Sequence, residues 1–304
     1  MAYSRGRLTW DTKASSTTQV LNCVVRRGEA EPPAGKGTPT GSCELILFDM
    51  EHQSMARVWK PHDFDSLYDR FICQDEFQFG GRAYYKRYRS RYKECIRRFA
   101  ALAPPHAVDV LDVGGGQLAL MCTKLWSDHG VAADLPGPHL SYIAGHGVET
   151  THWNLCKTEP PFSTKFDFVF LSEVIEHLPI PGYIALERLR RIMRPGGIII
   201  CTTPNLYRLR NVLYMALGLP IFDYFQYPDA EIALGHVLEY SRDHLAWQFK
   251  KAGFTQCRVE YSQMHHLPTN PLFRPLALLG YPLHIIPQWR DNLVATACAQ
   301  CETK

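Results

Sequence analysis

Glu173, Glu176 and His177 stand at i, i+3 and i+4, so one helical turn would put all three on one face. Two carboxylates and an imidazole form a donor set for a divalent cation. His236, in Gly235-His-Val-Leu-Glu-Tyr, offers a fourth donor. Without an ion, Glu173, His177 or His236 would serve as the base that takes a proton from an attacking hydroxyl. The plainer alternative is a turn capped by its own Glu and His. A second constellation lies upstream. Asp112 stands just before Gly114, Gly115 and Gly116, and Asp134 comes about 20 residues later. Glycines there let the backbone approach a ligand closely, and a helix opening after them has free N–H groups. An acid at such a loop would repel a pyrophosphate but suits a cationic amino group. The later acid suits ribose hydroxyls. The structural alternative is a pair of ordinary strand-end caps.

These residues need elements to hold them. After Pro105 the chain alternates apolar strands and helical patterns. Strands are expected at 108–113, 131–135, 148–155, 166–171 and 197–203, and helices at 117–128 and 181–193. A short turn follows the fourth strand and ends at Pro179. A helix over 241–252, with Ser241 as N-cap and Gly253 closing it, precedes strands at 255–262 and 292–298. This alternation predicts an α/β, doubly wound, mostly parallel sheet with helices on both faces. Right-handed crossovers place the ends of the first and fourth strands side by side, at the switch point where ligands bind.

Three segments carry a resemblance. Val110-Leu-Asp-Val-Gly-Gly-Gly, Phe166-Asp-Phe-Val-Phe-Leu-Ser-Glu-Val-Ile-Glu-His-Leu and Arg194-Pro-Gly-Gly-Ile-Ile-Ile resemble the successive motifs of class I S-adenosylmethionine-dependent methyltransferases of the type 11/23 kind. The likeness covers roughly 107–298. It implies a Rossmann-like seven-stranded sheet whose last strand is antiparallel. It implies that Asp112, Gly114 and Gly116 hold the methionine portion of S-adenosylmethionine, that Asp134 takes the ribose, and that Asn154 and Leu155 flank the adenine. Leu118 departs from a common third glycine, and Asn154 from a common Asp. The ExxEH turn with the later His236 resembles metal-dependent O-methyltransferases of ubiquinone biosynthesis and of small-RNA 3′ ends. That likeness implies an ion on Glu173, Glu176, His177 and His236 gripping neighbouring hydroxyls. Glu-x-x-Glu-His-Leu is shared by metal-free members as well.

The expected activity is O-methylation of a small-molecule hydroxyl: a catechol, diol, glycosyl or secondary-metabolite acceptor. An RNA 2′-O-methyltransferase is the first alternative, prompted by a basic, Tyr-rich helix over 84–103. A net charge of only +3 weighs against a nucleic-acid partner, and the expected reading of that helix is a solvated face packed on the sheet. A nicotinamide-dependent oxidoreductase and a catalytically dead binding module are the alternatives of other classes.

The remaining expectations concern organisation. Residues 1–55 read as a poorly structured extension, with a Pro/Gly/Ser/Thr-rich linker at 28–42, weak strands at 20–25 and 44–48, and Met50 or Met55 as alternative starts. Residues 56–104 read as a helical cap, and 105–304 as the catalytic domain with an insertion at 206–235. The insertion carries Tyr207, Tyr214, Phe222, Tyr224, Phe225 and Tyr227, and is expected to cover the acceptor pocket, with peripheral membrane contact through 206–227 as a further expectation. The N-terminus lacks a signal-peptide apolar run, and no segment is apolar enough to span a bilayer. Ten scattered cysteines, several in apolar strands, suit reduced thiols, and Cys298-x-x-Cys301 reads as incidental. A soluble, cytoplasmic protein is expected.

Overall fold

The computed structural model describes residues 57–74, 81–221, 235–264 and 281–299. The chain divides into two units, Met1–Ile46 and Leu47–Lys304, and all described residues belong to the second. The expected linker, the weak N-terminal strands, Phe222 to Tyr227 and Cys301 lie outside the described residues.

Seven strands form one sheet in the order β3-β2-β1-β4-β5-β7-β6. They are β1 Asp109–Val113, β2 His129–Asp134, β3 Glu149–His152, β4 Phe166–Ser172, β5 Met193–Pro204, β6 Phe254–Ser262 and β7 Asn292–Ala299. All pairings are parallel except those of β7, which runs antiparallel to both β5 and β6. The connection from β1 leads outward to β2 while β4 returns on its other side, so the switch point lies between the tips of β1 and β4.

The helices are α1 Pro61–Phe71, α2 Gly81–Leu102, α3 Gln117–Trp126, α4 Pro138–Ala144, α5 Gly182–Arg191, α6 Leu209–Ala216 and α7 Arg242–Lys251. Strand alternation sorts the core into two layers. Phe168 and Phe170 of β4 pack with Phe64, Tyr68, Tyr85, Ile96, Phe99 and Leu118. Val169 and Leu171 pack on the other side with Leu186, Leu189, Leu245 and Phe249. A parallel strand covered on both faces reads as a continuous apolar run, which is why β4 is plain in the sequence.

The seven strands expected after Pro105 all form, with shifted ends. The third is shorter than expected because Asn154 turns the chain: its Oδ1 accepts N–H bonds from Cys156 (3.0 Å) and Lys157 (3.2 Å). The fifth begins earlier, with Arg194-Pro-Gly-Gly as an irregularity in which Phe166 pairs with Met193 but Phe168 with Ile198. Arg194 locks it by donating to Asp167 and Asp109, each at 2.6 Å. Helix α4 has no counterpart in the sequence reading. It is seven residues long, begins at Pro138, and shows only Leu140 and Ile143 as an apolar pair.

Helix α2 packs on the sheet through Tyr85, Ile96 and Phe99, and several cations of its basic face find carboxylates within the chain: Lys93 Nζ meets Asp65 at 2.6 Å, Arg89 pairs with Asp69, and Arg98 joins Glu94 (2.7 Å) to Glu260 (2.5 Å). Arg91 instead turns inward and is buried. At the start of the described chain Arg57 pairs with buried Asp128, and donates to the carbonyls of Pro104 (2.7 Å) and His106 (2.5 Å). Among the described residues no helix is long and apolar enough to cross a membrane.

Candidate active site

The loop after β1 is shaped by contact rather than by flexibility. Gly114 has φ +93°, and a Cβ there would lie 2.2 Å from the Val174 side chain; Gly116, at φ +83°, would meet Ala132 Cβ at 2.5 Å. Only glycine lets the turn after β4 come this close. Asp112 is buried beneath the loop, and its Oδ2 accepts the N–H groups of Leu118 (2.7 Å) and Ala119 (3.3 Å). It therefore caps α3. Burial pushes its carboxyl up to about 7, against the pull of those two bonds, and Asp134 adds to the rise.

Asp134 ends β2, accepting from Leu135 N–H at 2.7 Å and lying 3.0 Å from His139 Nε2. Leu155, within the Asn154 turn, is buried. Asp112 and Asp134 thus stand at the ends of β1 and β2, and Gly114, Gly116, Asn154 and Leu155 on the loops that follow β1 and β3; these three strands are neighbours in the sheet.

The turn after β4 corrects one expectation. Only Ile175–His177 forms a helical turn, of the tight 3-10 kind, and Glu173 precedes it with φ +55°. Glu173, Glu176 and His177 therefore do not share a helix face. Glu173 meets Arg91 at 3.1 Å and accepts from Asn292 Nδ2 at 3.2 Å. Arg91 and Asn292 went unnoticed in the sequence because they come from α2 and β7. A left-handed φ at a non-glycine residue is costly and concentrates at functional sites.

Glu176, His177 and His236 do come together. One potential ligand atom from each lies within 4.8 Å of the others. Glu176 is buried, and its Oε2 accepts from Thr203 Oγ1 at 3.0 Å. Burial, followed by the nearby Glu173, raises its carboxyl well above the ordinary range. The carbonyl of Glu176 accepts from Val237 N–H (2.8 Å) and Leu238 N–H (3.1 Å), and this holds the His236 segment against the turn. His177 Nδ1 lies 3.3 Å from the Gly235 carbonyl, and Nε2 lies 3.9 Å from Glu176 Oε1. The two imidazoles meet edge to face at 4.9 Å.

Comparison with known proteins bears on the family and the fold. The family model described as a methyltransferase domain matches residues 84–258, more than half of the chain. No curated protein matches the sequence. Among solved structures, a chain of the Haloferax volcanii complex containing the Trm112 methyltransferase activator is 14% identical, with 80% of this chain and 98% of that chain covered and a TM-score of 0.53. An S-adenosylmethionine-dependent methyltransferase from Archaeoglobus fulgidus is also 14% identical, with 77% and 99% covered and a TM-score of 0.49. At that identity the likeness speaks to the fold alone. On the family match, with the seven-stranded Rossmann-like sheet that goes with it, this chain belongs to the methyltransferase-domain family.

Proposed function

We propose that the protein transfers the methyl group of S-adenosylmethionine to a hydroxyl of a small-molecule acceptor. The observation that carries this is the grouping of Glu176, His177 and His236 beside the glycine loop of a methyltransferase sheet. The residues present suit the cofactor: glycines too tightly packed to carry a Cβ lead into the N-terminus of α3, where free N–H groups can meet a ligand, and Asp134 offers carboxylate oxygens at the next strand tip. Gly114 and Gly116 would face the methionine portion, with Asp112 acting through the helix it caps. Asp134 would hold the ribose, and Asn154 and Leu155 the adenine. When bound, S-adenosylmethionine supplies an electrophilic methyl group. The acceptor oxygen must lie in line with it, and such positioning alone can contribute about 7–11 kcal/mol at best. His236 Nε2 would take the hydroxyl proton as the oxygen–carbon bond forms and the carbon–sulfur bond breaks. Glu173, fixed by Arg91 and Asn292, would orient the acceptor.

A second reading has a specific observation behind it. Glu176, His177 and His236 present one carboxylate and two imidazoles within 4.8 Å, a donor set that suits a divalent cation. Such an ion would lower the pKa of the acceptor hydroxyl.

The insertion and its neighbours also support contact with a lipid surface. Tyr207, Leu213, Met215, Leu217, Leu219, Val237, Leu238, Leu283, Ile285 and Ile286 are all exposed. Their segments are tied together, since Asn205 donates to Gln288 O (2.7 Å) and Arg290 O (2.8 Å), and Leu206 N–H to Tyr240 O (2.9 Å). Peripheral binding there would suit an amphipathic acceptor.

The test is transfer of radiolabelled methyl to a panel of phenols, catechols and sugar diols, with and without a chelator, beside titration with S-adenosylhomocysteine and NAD. Binding of NAD but not of S-adenosylhomocysteine overturns the proposal. Transfer that survives chelation removes the ion and leaves His236 as base.

A further inference from the structure

Glu239 is a buried acid that no step above employs. It is 1% exposed and lies three residues after His236. Three side chains converge on it. Arg208 Nη2 donates to Oε1 at 2.5 Å, Asn211 Nδ2 to Oε2 at 2.6 Å, and His236 Nδ1 lies 2.9 Å from Oε1. Asn211 stands on α6, and Arg208 immediately before it. They brace one another through Arg208 Nε to Asn211 Oδ1 at 3.1 Å, and Asn211 also donates to Leu206 O at 3.0 Å. Arg208 supplies the opposite charge that a buried carboxylate needs, and Asn211 a further donor. A purely structural acid would be served by those two. His236 is a third donor, and its side chain is 30% exposed at the rim of the site.

We propose that Glu239 is a positioning residue of this site: it fixes the ring plane and the Nδ1–H tautomer of His236, leaves the Nε2 lone pair for chemistry, and ties that setting to the start of helix α6. The role rests on the reading of His236 as a site residue. An ionised carboxylate can only accept, so the neutral ring bonded to it must carry its proton on Nδ1. Base-and-orienter pairs and metal-bound histidines use the same geometry. Once Nε2 has taken a proton, the carboxylate at 2.9 Å stabilises the imidazolium without moving. Because Arg208 shares Oε1 with His236 and Asn211 holds Oε2, any shift of α6 is felt at His236.

The tautomer can be read directly. The full-length protein, labelled with [15N]histidine, is examined by long-range 1H–15N correlation at about pH 8, above the ordinary imidazole range. His236→Asn assigns the signal. The expected wild-type ring is Nδ1–H, and Glu239→Gln, whose amide can donate as well as accept, admits the Nε2–H form. The same substitution lowers kcat at least tenfold with KM for S-adenosylmethionine unchanged. If wild type binds Mn2+, its affinity falls by about tenfold to a hundredfold. An Nε2–H ring in the wild-type protein overturns the proposal without any variant, and so does a tautomer unmoved by Glu239→Gln. Full methyl transfer by His236→Asn sinks the reading of the site itself, and this role with it. A wild-type protein that ignores Mn2+ yet shows the Nδ1–H ring loses only the ion.

Discussion

Asp112 and Asp134 have the same side chain at the tips of adjacent strands, but the fold gives them different work. Asp134 keeps polar contacts at its strand end, with Leu135 N–H and His139. Asp134→Ala should weaken S-adenosylhomocysteine binding by about tenfold to a hundredfold, since a hydrogen bond to a charged group contributes about 1.5–3 kcal/mol. Isothermal titration measures this, and circular dichroism should show an unchanged fold. Asp112 is sealed under the loop, where burial lifts its carboxyl from 3.8 to about 7. The folded state then holds a proton that the unfolded state has released between those values. Its contribution to stability is therefore present at low pH and is lost as pH rises from about 4 to about 7, by at most about 1.4 kcal/mol per pH unit. Asp112→Asn should be relatively more stable than wild type at the neutral end of that window than at the acid end. Urea melts at both ends check it, and an equal difference at both would show that Asp112 does not titrate there.

At the scale of elements, two connections are not supplied by strand patterns alone, one at the site and one at the opposite end of β1. One is α2, which brings Arg91 to Glu173 from far upstream. The other is the Arg57–Asp128 pair, with Asp128 also accepting Val108 N–H at 3.0 Å just before β1. Asp128→Ala strands a buried guanidinium, and breaking such a pair costs about 3–5 kcal/mol. A fall of that size in urea-unfolding free energy is expected, and a loss under 1 kcal/mol, about the worth of a surface pair, would show that the clamp is not structural. The elements most legible in the sequence were those buried on both faces, β1, β4 and β5. Helix α4 escaped notice because one apolar pair in seven residues gives no period.

For the whole molecule, ten exposed apolar side chains gather in three hydrogen-bonded segments, around Tyr207–Leu219, Val237–Leu238 and Leu283–Ile286. The protein should therefore co-sediment with phospholipid vesicles. Leu217→Asp together with Ile285→Asp should abolish that while leaving S-adenosylhomocysteine binding intact. If the double variant sediments like wild type, this face is not the contact.

The order of strands, the glycine loop, the two strand-tip acids and the ExxEH segment were all decided by the sequence, because each is a local pattern of polarity or backbone freedom. What the tertiary structure decided was pairing across distance. The sequence places Glu173 with Glu176 and His177, but a left-handed φ at Glu173 sends it to Arg91 and Asn292 instead. His236, distant in the chain, joins the turn through two backbone bonds to Glu176, and Glu239 gains Arg208 and Asn211 as donors only once α6 packs beside it. Side-chain spacing fixes a shared face only while the backbone stays helical, and here one residue leaves the helix.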